Sequence, residues 1–277
     1  MDTPEFFSLS RARVELAIPD KKPLFSSTEA RAEAERCLYC VDAPCIKACP
    51  TEIDIPTFIR RIGTGDSVGS AQTIFAQNIL GASCARVCPV EVLCEGACVY
   101  TGWHRDPVKI GRLQRFAIDT AALAASALPR REAVGGARKF AVIGAGPASL
   151  AFAAELVLNG HRATIFEKRP YAGGLNTSGV APHKFHAHDS LREARWVADL
   201  GIDIRFGVAL GKELRGADLL AEYDAVFIGV GLGDDTRLAV PGEEGAGVMY
   251  FQVAIASMAA KRLSTPSPKG AMRRASC

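Results

Sequence analysis

Apolar residues in the first third of the chain recur at helical spacing. The stretches Ile55 to Ile62 and Val68 to Ile79 each read as one helix, parted by a Gly63-Thr64-Gly65-Asp66 turn. Upstream, Ser26 and Glu29 form a capping-box pattern, and the Ala/Glu/Arg run from Thr28 to Arg36 predicts a helix that ends just before Cys37. A further helix is predicted from about Val108 to Ala127, stopping ahead of Pro129. No strand pattern interrupts this region, so residues 1–128 read as a helical, loop-rich domain.

The polar stretch Arg130 to Arg138, with Gly135-Gly136, reads as a linker over 129–138, after which the pattern changes. A short buried strand (Phe140 to Ile143), a Gly-rich turn, a helix (Pro147 to Leu158) and a second strand (Ala163 to Phe166) follow in βαβ order. A helix near Ala187 to Leu200 and strands at Ile202 to Phe206 and Ala225 to Val230 extend a mainly parallel sheet. The predicted fold class is therefore α followed by α/β, with a Rossmann-like domain over 139–263. Residues 264–277 lack periodicity and predict a disordered tail.

Composition agrees with two folded domains: 277 residues, 48% hydrophobic and 23% charged. The net charge of +3 is dispersed with no basic block, which gives nucleic-acid binding no support. Met1-Asp2-Thr3-Pro4-Glu5 is not a leader pattern, and no run approaches the roughly 20 apolar residues of a membrane span. A cytosolic location without membrane contact is expected. There thiols stay reduced, which favours metal over disulfides for the nine cysteines.

Eight of these form two runs, Cys37-x2-Cys40-x4-Cys45-x3-Cys49-Pro50 and Cys84-x3-Cys88-Pro89-x4-Cys94-x3-Cys98, with Cys277 left in the tail. Close thiolates followed by a Cys-Pro step resemble ferredoxins, whose last cysteine ligates the other cluster, so two 4Fe–4S clusters are expected. Ala43, Pro44, Ile46, Val87, Val90 and Leu93 supply apolar surroundings. A pair of four-cysteine zinc sites would call for two C-x2-C knuckles apiece, and only Cys37/Cys40 has that spacing. Packing alone does not account for so many cysteines in one short region.

The second signature is Gly144-Ala145-Gly146-Pro147-Ala148-Ser149, set between strand and helix, where glycines let a pyrophosphate approach the helix N-terminus. Ser149 stands where the fingerprint has Gly or Ala. Glu167 ends the second strand, placed to accept from a ribose hydroxyl and to disfavour a 2′-phosphate. His183, His186 and His188 crowd a stretch that reads as a solvated loop rather than a metal site.

Through Arg36-Cys37-Leu38-Tyr39-Cys40, Ala43-Pro44-Cys45, Cys84 to Cys98, Ile110-Gly111-Arg112-Leu113-Gln114, Gly144 to Ser149, Phe166-Glu167-Lys168 and Gly173-Gly174-Leu175, the chain resembles the N-terminal half of dihydropyrimidine dehydrogenase. It is most similar to the flavin and iron–sulfur subunit of the bacterial NAD-dependent enzyme, and the glutamate synthase small subunit shares the architecture. The resemblance implies crossed ligation, with Cys37, Cys40, Cys45 and Cys98 on one cluster and Cys49, Cys88 and Cys94 on the other. Gln114 matches the family's fourth ligand to the second cluster, with Cys84 as the chemical alternative. The resemblance also implies FAD, with Gly144, Ala145, Gly146, Pro147 and Ala148 at the pyrophosphate, Glu167 at the ribose, Gly174, Leu175, Lys184 and Leu210 around the remainder, and Lys168 also among the cofactor-binding residues.

In such an enzyme NAD(P)H reduces FAD, and electrons pass through the clusters to a pyrimidine-reducing catalytic subunit, or to the large subunit in glutamate synthase. No side chain here reads as an acid–base catalyst. No second Gly-rich strand–turn–helix follows Lys261, so a truncated form is expected, with the FAD domain incomplete and the NAD(P)H domain missing. A non-catalytic electron-carrier or docking fragment is the alternative.

Overall fold

The structure, a computed structural model, describes residues 17–121, 128–129 and 136–232. The expectations for residues 264–277, for most of the linker and for the end of the long helix at 122–127 lie outside these residues.

Helix α1 (Ser27–Glu35) starts as its sequence dictates: Ser26 Oγ accepts from the Glu29 amide and Glu29 reaches back to the Ser26 amide. Replacing Ser26 by Ala removes one half of this box and is expected to cost about 1 kcal/mol, read by urea denaturation. A short helix α2 (Pro44–Lys47) follows. Helix α3 (Ile55–Thr64) buries Ile55, Phe58, Ile59 and Ile62 on one stripe and stops at Gly65, which adopts φ 85°. Helix α4 (Ser67–Phe75) is capped by Asp66 and ends before the expected Ile79, and Asn78 Oδ1 accepts from the Leu80 amide in the turn that follows.

Helix α5 (Gly81–Val87), a 3-10 turn at Val90–Val92 and helix α6 (Val99–Gly102) carry the second cysteine run. Sequence patterning expected irregular backbone there, because such short elements hold less than the two turns that periodicity needs to register. Helix α7 (Ile110–Ala121) buries Ile110, Leu113, Gln114, Ala117, Ile118 and Ala121 on one face. Gln114 is the carboxamide in that stripe, only 6% exposed.

The second unit is a four-stranded parallel sheet in the order β3-β2-β1-β4. Its strands are β1 (Lys139–Ile143), β2 (Arg162–Glu167), β3 (Asp203–Phe206) and β4 (Ala225–Ile228). Register pairs Val142 with Ile165 on one side and with Phe227 on the other. Ala141, Val142 and Ile143 are buried on both faces, as a central parallel strand requires. The crossovers use α8 (Pro147–Leu158), the short α9 (Leu175–Ser178), α10 (Ala187–Ala198) and α11 (Gly216–Glu222), the last unanticipated from the sequence. Phe152 of α8 stacks on Phe227 of β4 at 4.2 Å.

The two units share one continuous core, in which Phe58, Ile74 and Leu113 join Val142, Leu150 and Val197. Phase between them is fixed by Phe75 set edge-on to Trp196 at 6.3 Å and by an ionic cluster. In that cluster Arg86 of α5 lies 2.8 Å from Asp119 and 3.5 Å from Asp189, and Arg192 lies 3.1 and 2.9 Å from the same carboxylates. Such a cluster adds orientation more than net stability, since desolvating the charges offsets most of their attraction. His188 falls on α10 rather than in a loop, whereas His183 is exposed in the preceding turn and half-buried His186 holds the N-cap position without a side-chain cap hydrogen bond, its Nε2 buried.

Candidate cluster and nucleotide sites

All eight cysteines of the two runs are free and half-buried. Cys37, Cys40 and Cys45 of the first run share a partly open cavity with Cys98 of the second, lined otherwise by Ala43, Pro44, Ile55, Ile59, Val108 and Ile110 among others. Three local devices make this convergence. Tyr39, between Cys37 and Cys40, takes a left-handed φ of 52°, turning the two thiols to one side. The Tyr100 hydroxyl donates to the Arg36 carbonyl at 3.0 Å, tying the turn after Cys98 to the residue before Cys37. The Lys109 amide donates to Glu33 at 2.8 Å and Arg36 donates to the Pro107 carbonyl at 3.3 Å, fastening the same two segments again.

Burial pushes the Cys45 thiol up to about 12, with the neighbouring charge of Cys37 adding to it, and burial also raises Cys37. Thiols so placed are costly to ionise alone. A cationic iron centre offsets that cost, and binding it releases the protons. Four thiols around an apolar-lined cavity fit such a group.

The remaining cysteines gather at a second place. Cys84 Sγ and Cys88 Sγ lie 3.4 Å apart, and the Gln114 carboxamide, which donates to the Gly81 carbonyl at 3.2 Å, lowers the Cys84 thiol from nearby. The hydrogen bond to Cys88 and then burial raise Cys84, whereas the same bond lowers Cys88, whose surroundings include the charges of Cys94, Cys49 and Lys22. Burial raises Cys94, with Glu95 and Cys49 reinforcing it. Lys22 Nζ donates to the Cys88 carbonyl at 3.2 Å, and Glu95 accepts from the Gly111 amide at 2.9 Å. Cys84 therefore stands beside Cys88 and Gln114 beside Cys84, and the donor set fits an iron–sulfur centre with either as its fourth ligand. Among the described residues, no group of three or more His, Cys, Asp or Glu is set for a single metal ion.

The nucleotide loop follows β1. Gly144 has φ 91°, and a Cβ there would lie 2.7 Å from the Gly229 carbonyl oxygen, so only glycine fits. A Cβ at Gly174, whose φ is 53°, would lie 2.8 Å from Gly146 Cα. At Gly146 a Cβ would meet nothing within 4 Å, which leaves an open approach at the start of α8, where Pro147 has no N–H to strand. The Ala145 carbonyl accepts from the Gly173 amide at 2.8 Å, binding the two glycine turns together. Glu167, buried at the end of β2, accepts from the Ala145 amide at 2.7 Å and the Arg169 amide at 2.8 Å. Its carboxylate thus braces the loop and retains lone pairs for a hydroxyl. The loop lies at the carboxyl ends of β1 and β4, where strand order reverses, the usual nucleotide crevice of such sheets. Ala148 lies in the first turn of α8, and Leu175 opens α9. Lys168 and Lys184 are exposed. Leu210 bridges to Leu214, and neither Lys184 nor Leu210 hydrogen-bonds the glycine loop among the described residues.

One group that sequence reasoning missed lies between the sites. Glu193 of α10, 2% exposed, accepts from the Ala82 amide at 2.8 Å, the Ser83 amide at 3.0 Å and the Ser83 hydroxyl. Burial pushes its carboxyl up to about 7 against these hydrogen bonds and the Arg86 charge. A polar residue in the inward stripe of an amphipathic helix was the available signal, since Glu193 shares the face of Ser190, Ala194 and Val197.

Comparison with known proteins adds two matches. Residues 17–125 match the family described as dihydropyrimidine dehydrogenase domain II, 4Fe-4S cluster, and residues 142–206 match an NAD(P)-binding Rossmann-like domain. The chain is 40% identical over 212 residues to the NAD-dependent dihydropyrimidine dehydrogenase subunit PreT of Salmonella typhimurium, covering 76% of this chain and 50% of that protein. It is 34% identical over 247 residues to the glutamate synthase [NADPH] small chain of Escherichia coli, covering 83% and 51%. The chain thus spans about half the length of these curated relatives. No helix among the described residues is long and apolar enough to cross a membrane.

Proposed function

The chain carries a dihydropyrimidine dehydrogenase domain II iron–sulfur region joined to an NAD(P)-binding Rossmann-like domain, and from that pairing we propose an electron-delivering oxidoreductase subunit holding FAD and two 4Fe–4S clusters. Cys37, Cys40, Cys45 and Cys98 hold one cluster; Cys49, Cys88 and Cys94, with Gln114 or Cys84, hold the other. Gly144 to Ala148 and Gly174 receive the FAD pyrophosphate, and Glu167 accepts from the ribose. When bound, FAD would supply two-electron hydride chemistry with NAD(P)H and the clusters would supply one-electron transfer. The side chains orient and insulate the bound groups.

The single observation that carries this reading is the cavity that gathers three cysteines of one run with the last of the other. The interface supports an order as well. Helix α5, with Cys84 and Cys88, packs on α10 of the nucleotide unit, while Leu38 and Val41 beside the first cavity are exposed. With clusters bound, electrons entering on the nucleotide side would reach the Cys49/Cys88/Cys94 site first and the more exposed site after it.

The partner, by analogy with PreT, is a separate pyrimidine-reducing subunit. The similarity to the glutamate synthase small chain makes a glutamate synthase large subunit the second reading. The proposed domain limits are 1–128, 129–138 and 139–263. Anaerobically reconstituted protein is expected to carry about eight iron and eight acid-labile sulfide per chain, and stoichiometric zinc in their place would overturn the cluster assignment. Anaerobic titration with NADH and NADPH then measures donor oxidation, and an unchanged flavin and cluster spectrum would make the chain a carrier rather than an enzyme.

A further inference from the structure

The N-terminal turn of α5 has no cap of its own. Its N-cap position is Leu80, whose side chain offers no acceptor. The cap comes instead from the other domain: Glu193 on α10 takes both the Ala82 and Ser83 amides on one carboxylate oxygen, at 2.8 and 3.0 Å, and the Ser83 hydroxyl on the other. The same hydroxyl accepts from Asn176 Nδ2 at 2.7 Å. Asn176 lies in α9, which opens immediately after Gly174 of the nucleotide loop.

Asn176, Ser83 and Glu193 are 8%, 5% and 2% exposed, so none of these bonds is exchanged for water. Ser83 immediately precedes Cys84, and Cys88 closes α5 by donating its amide to the Cys84 carbonyl at 3.2 Å. The helix is thus a rigid lever. One end is gripped by the nucleotide unit, and the other carries a thiol of the second cysteine site. A short helix freed at its first turn frays from that end, and here fraying moves Cys84 and Cys88 together.

We propose that Glu193 is a positioning residue for the second cluster, capping α5 across the domain interface and, through Ser83 and Asn176, fixing that cluster against the nucleotide loop. This rests on the reading above that the Cys49/Cys88/Cys94 site holds iron. It adds a residue outside the cysteine motifs and a physical link between the two cofactor sites. The carboxylate acts through backbone amides and touches no proposed ligand, so its effect is geometric.

The test compares Glu193→Ala and Glu193→Gln with the parent chain, all full length and reconstituted anaerobically. Each is titrated with dithionite under electron paramagnetic resonance. Glu193→Ala is expected to shift the signal and midpoint of one four-iron centre while the other stays put. Glu193→Gln, whose carboxamide oxygen still accepts both amides while its Nε2 donates to the Ser83 hydroxyl in place of accepting from it, is expected to retain the parent spectrum. In the metal-free chain, hydrogen exchange at the Ala82 and Ser83 amides should quicken roughly tenfold or more in Glu193→Ala and stay near the parent rate in Glu193→Gln. Unchanged signals and exchange in Glu193→Ala overturn the proposal. Equal shifts in both variants make the effect one of charge and overturn it too. A parent chain that binds no iron overturns the cluster reading itself, and this outcome is separate because it is seen before any variant is made.

Discussion

Cys98→Ser is expected to leave about four of about eight irons per chain, and the lost cluster should be the one that Cys45→Ser also removes. Crossed ligation makes a sharper demand on double variants. Cys98 shares its cavity with Cys37, Cys40 and Cys45, whereas Cys88 adjoins Cys84 at 3.4 Å. If the runs cross, Cys45→Ser with Cys98→Ser still leaves about four irons, because both changes strike one cluster. Cys88→Ser with Cys98→Ser then removes nearly all. If each run held its own cluster, these two outcomes would be exchanged. Two changes within one cooperative unit do not add, while changes in separate units do. Iron and sulfide assays on four variants decide the question without an electron donor or a partner.

The second large effect separates folding from binding at the nucleotide loop. Gly144→Ala meets two obstacles: φ is 91°, and the new Cβ lies 2.7 Å from the Gly229 carbonyl oxygen, a backbone atom that cannot swing aside. The left-handed conformation alone costs about 1–2 kcal/mol for a residue with a Cβ. Displacing the end of β4 adds to this, so the melting temperature falls and FAD binding is lost with it. Gly146→Ala is the contrast. Its φ of −78° suits any residue, and its Cβ would meet nothing within 4 Å. The chain should fold with stability within about 0.5 kcal/mol of the parent. The methyl group nevertheless occupies the face where a pyrophosphate must approach the backbone, so FAD affinity is expected to fall roughly a hundredfold, about 2.7 kcal/mol. Thermal melts and flavin titration read the two quantities separately. A Gly146→Ala protein that binds FAD normally would show that the pyrophosphate lies elsewhere.

Legibility followed range along the chain. The helix over Ile55–Thr64 and the strand–turn–helix through Lys139–Leu158 came through in the apolar period, because each is long enough for its own burial stripe to register. Helices α2, α5 and α6 did not, being four, seven and four residues long. Cysteine spacing carried the metal chemistry but not the pairing, because a thiol's neighbours in space depend on how the flanking segments dock. The histidine stretch departs from a loop only at His188, which falls in the first turn of α10.

Local order thus determined the inventory: two thiol runs, a glycine loop after a buried strand, and an acidic residue closing the next strand. Each rests on spacing, backbone freedom or propensity, which act over a few residues. Tertiary structure decided what the inventory could not. Tyr100 reaching the Arg36 carbonyl brings Cys98 into the first cavity. Packing of α7 sets Gln114 beside Cys84, and Glu193, far along the chain, caps the helix that carries Cys84. These are long-range contacts, those of Glu193 buried, where an unmet donor or acceptor is expensive, and no period in the sequence encodes which distant partner meets it.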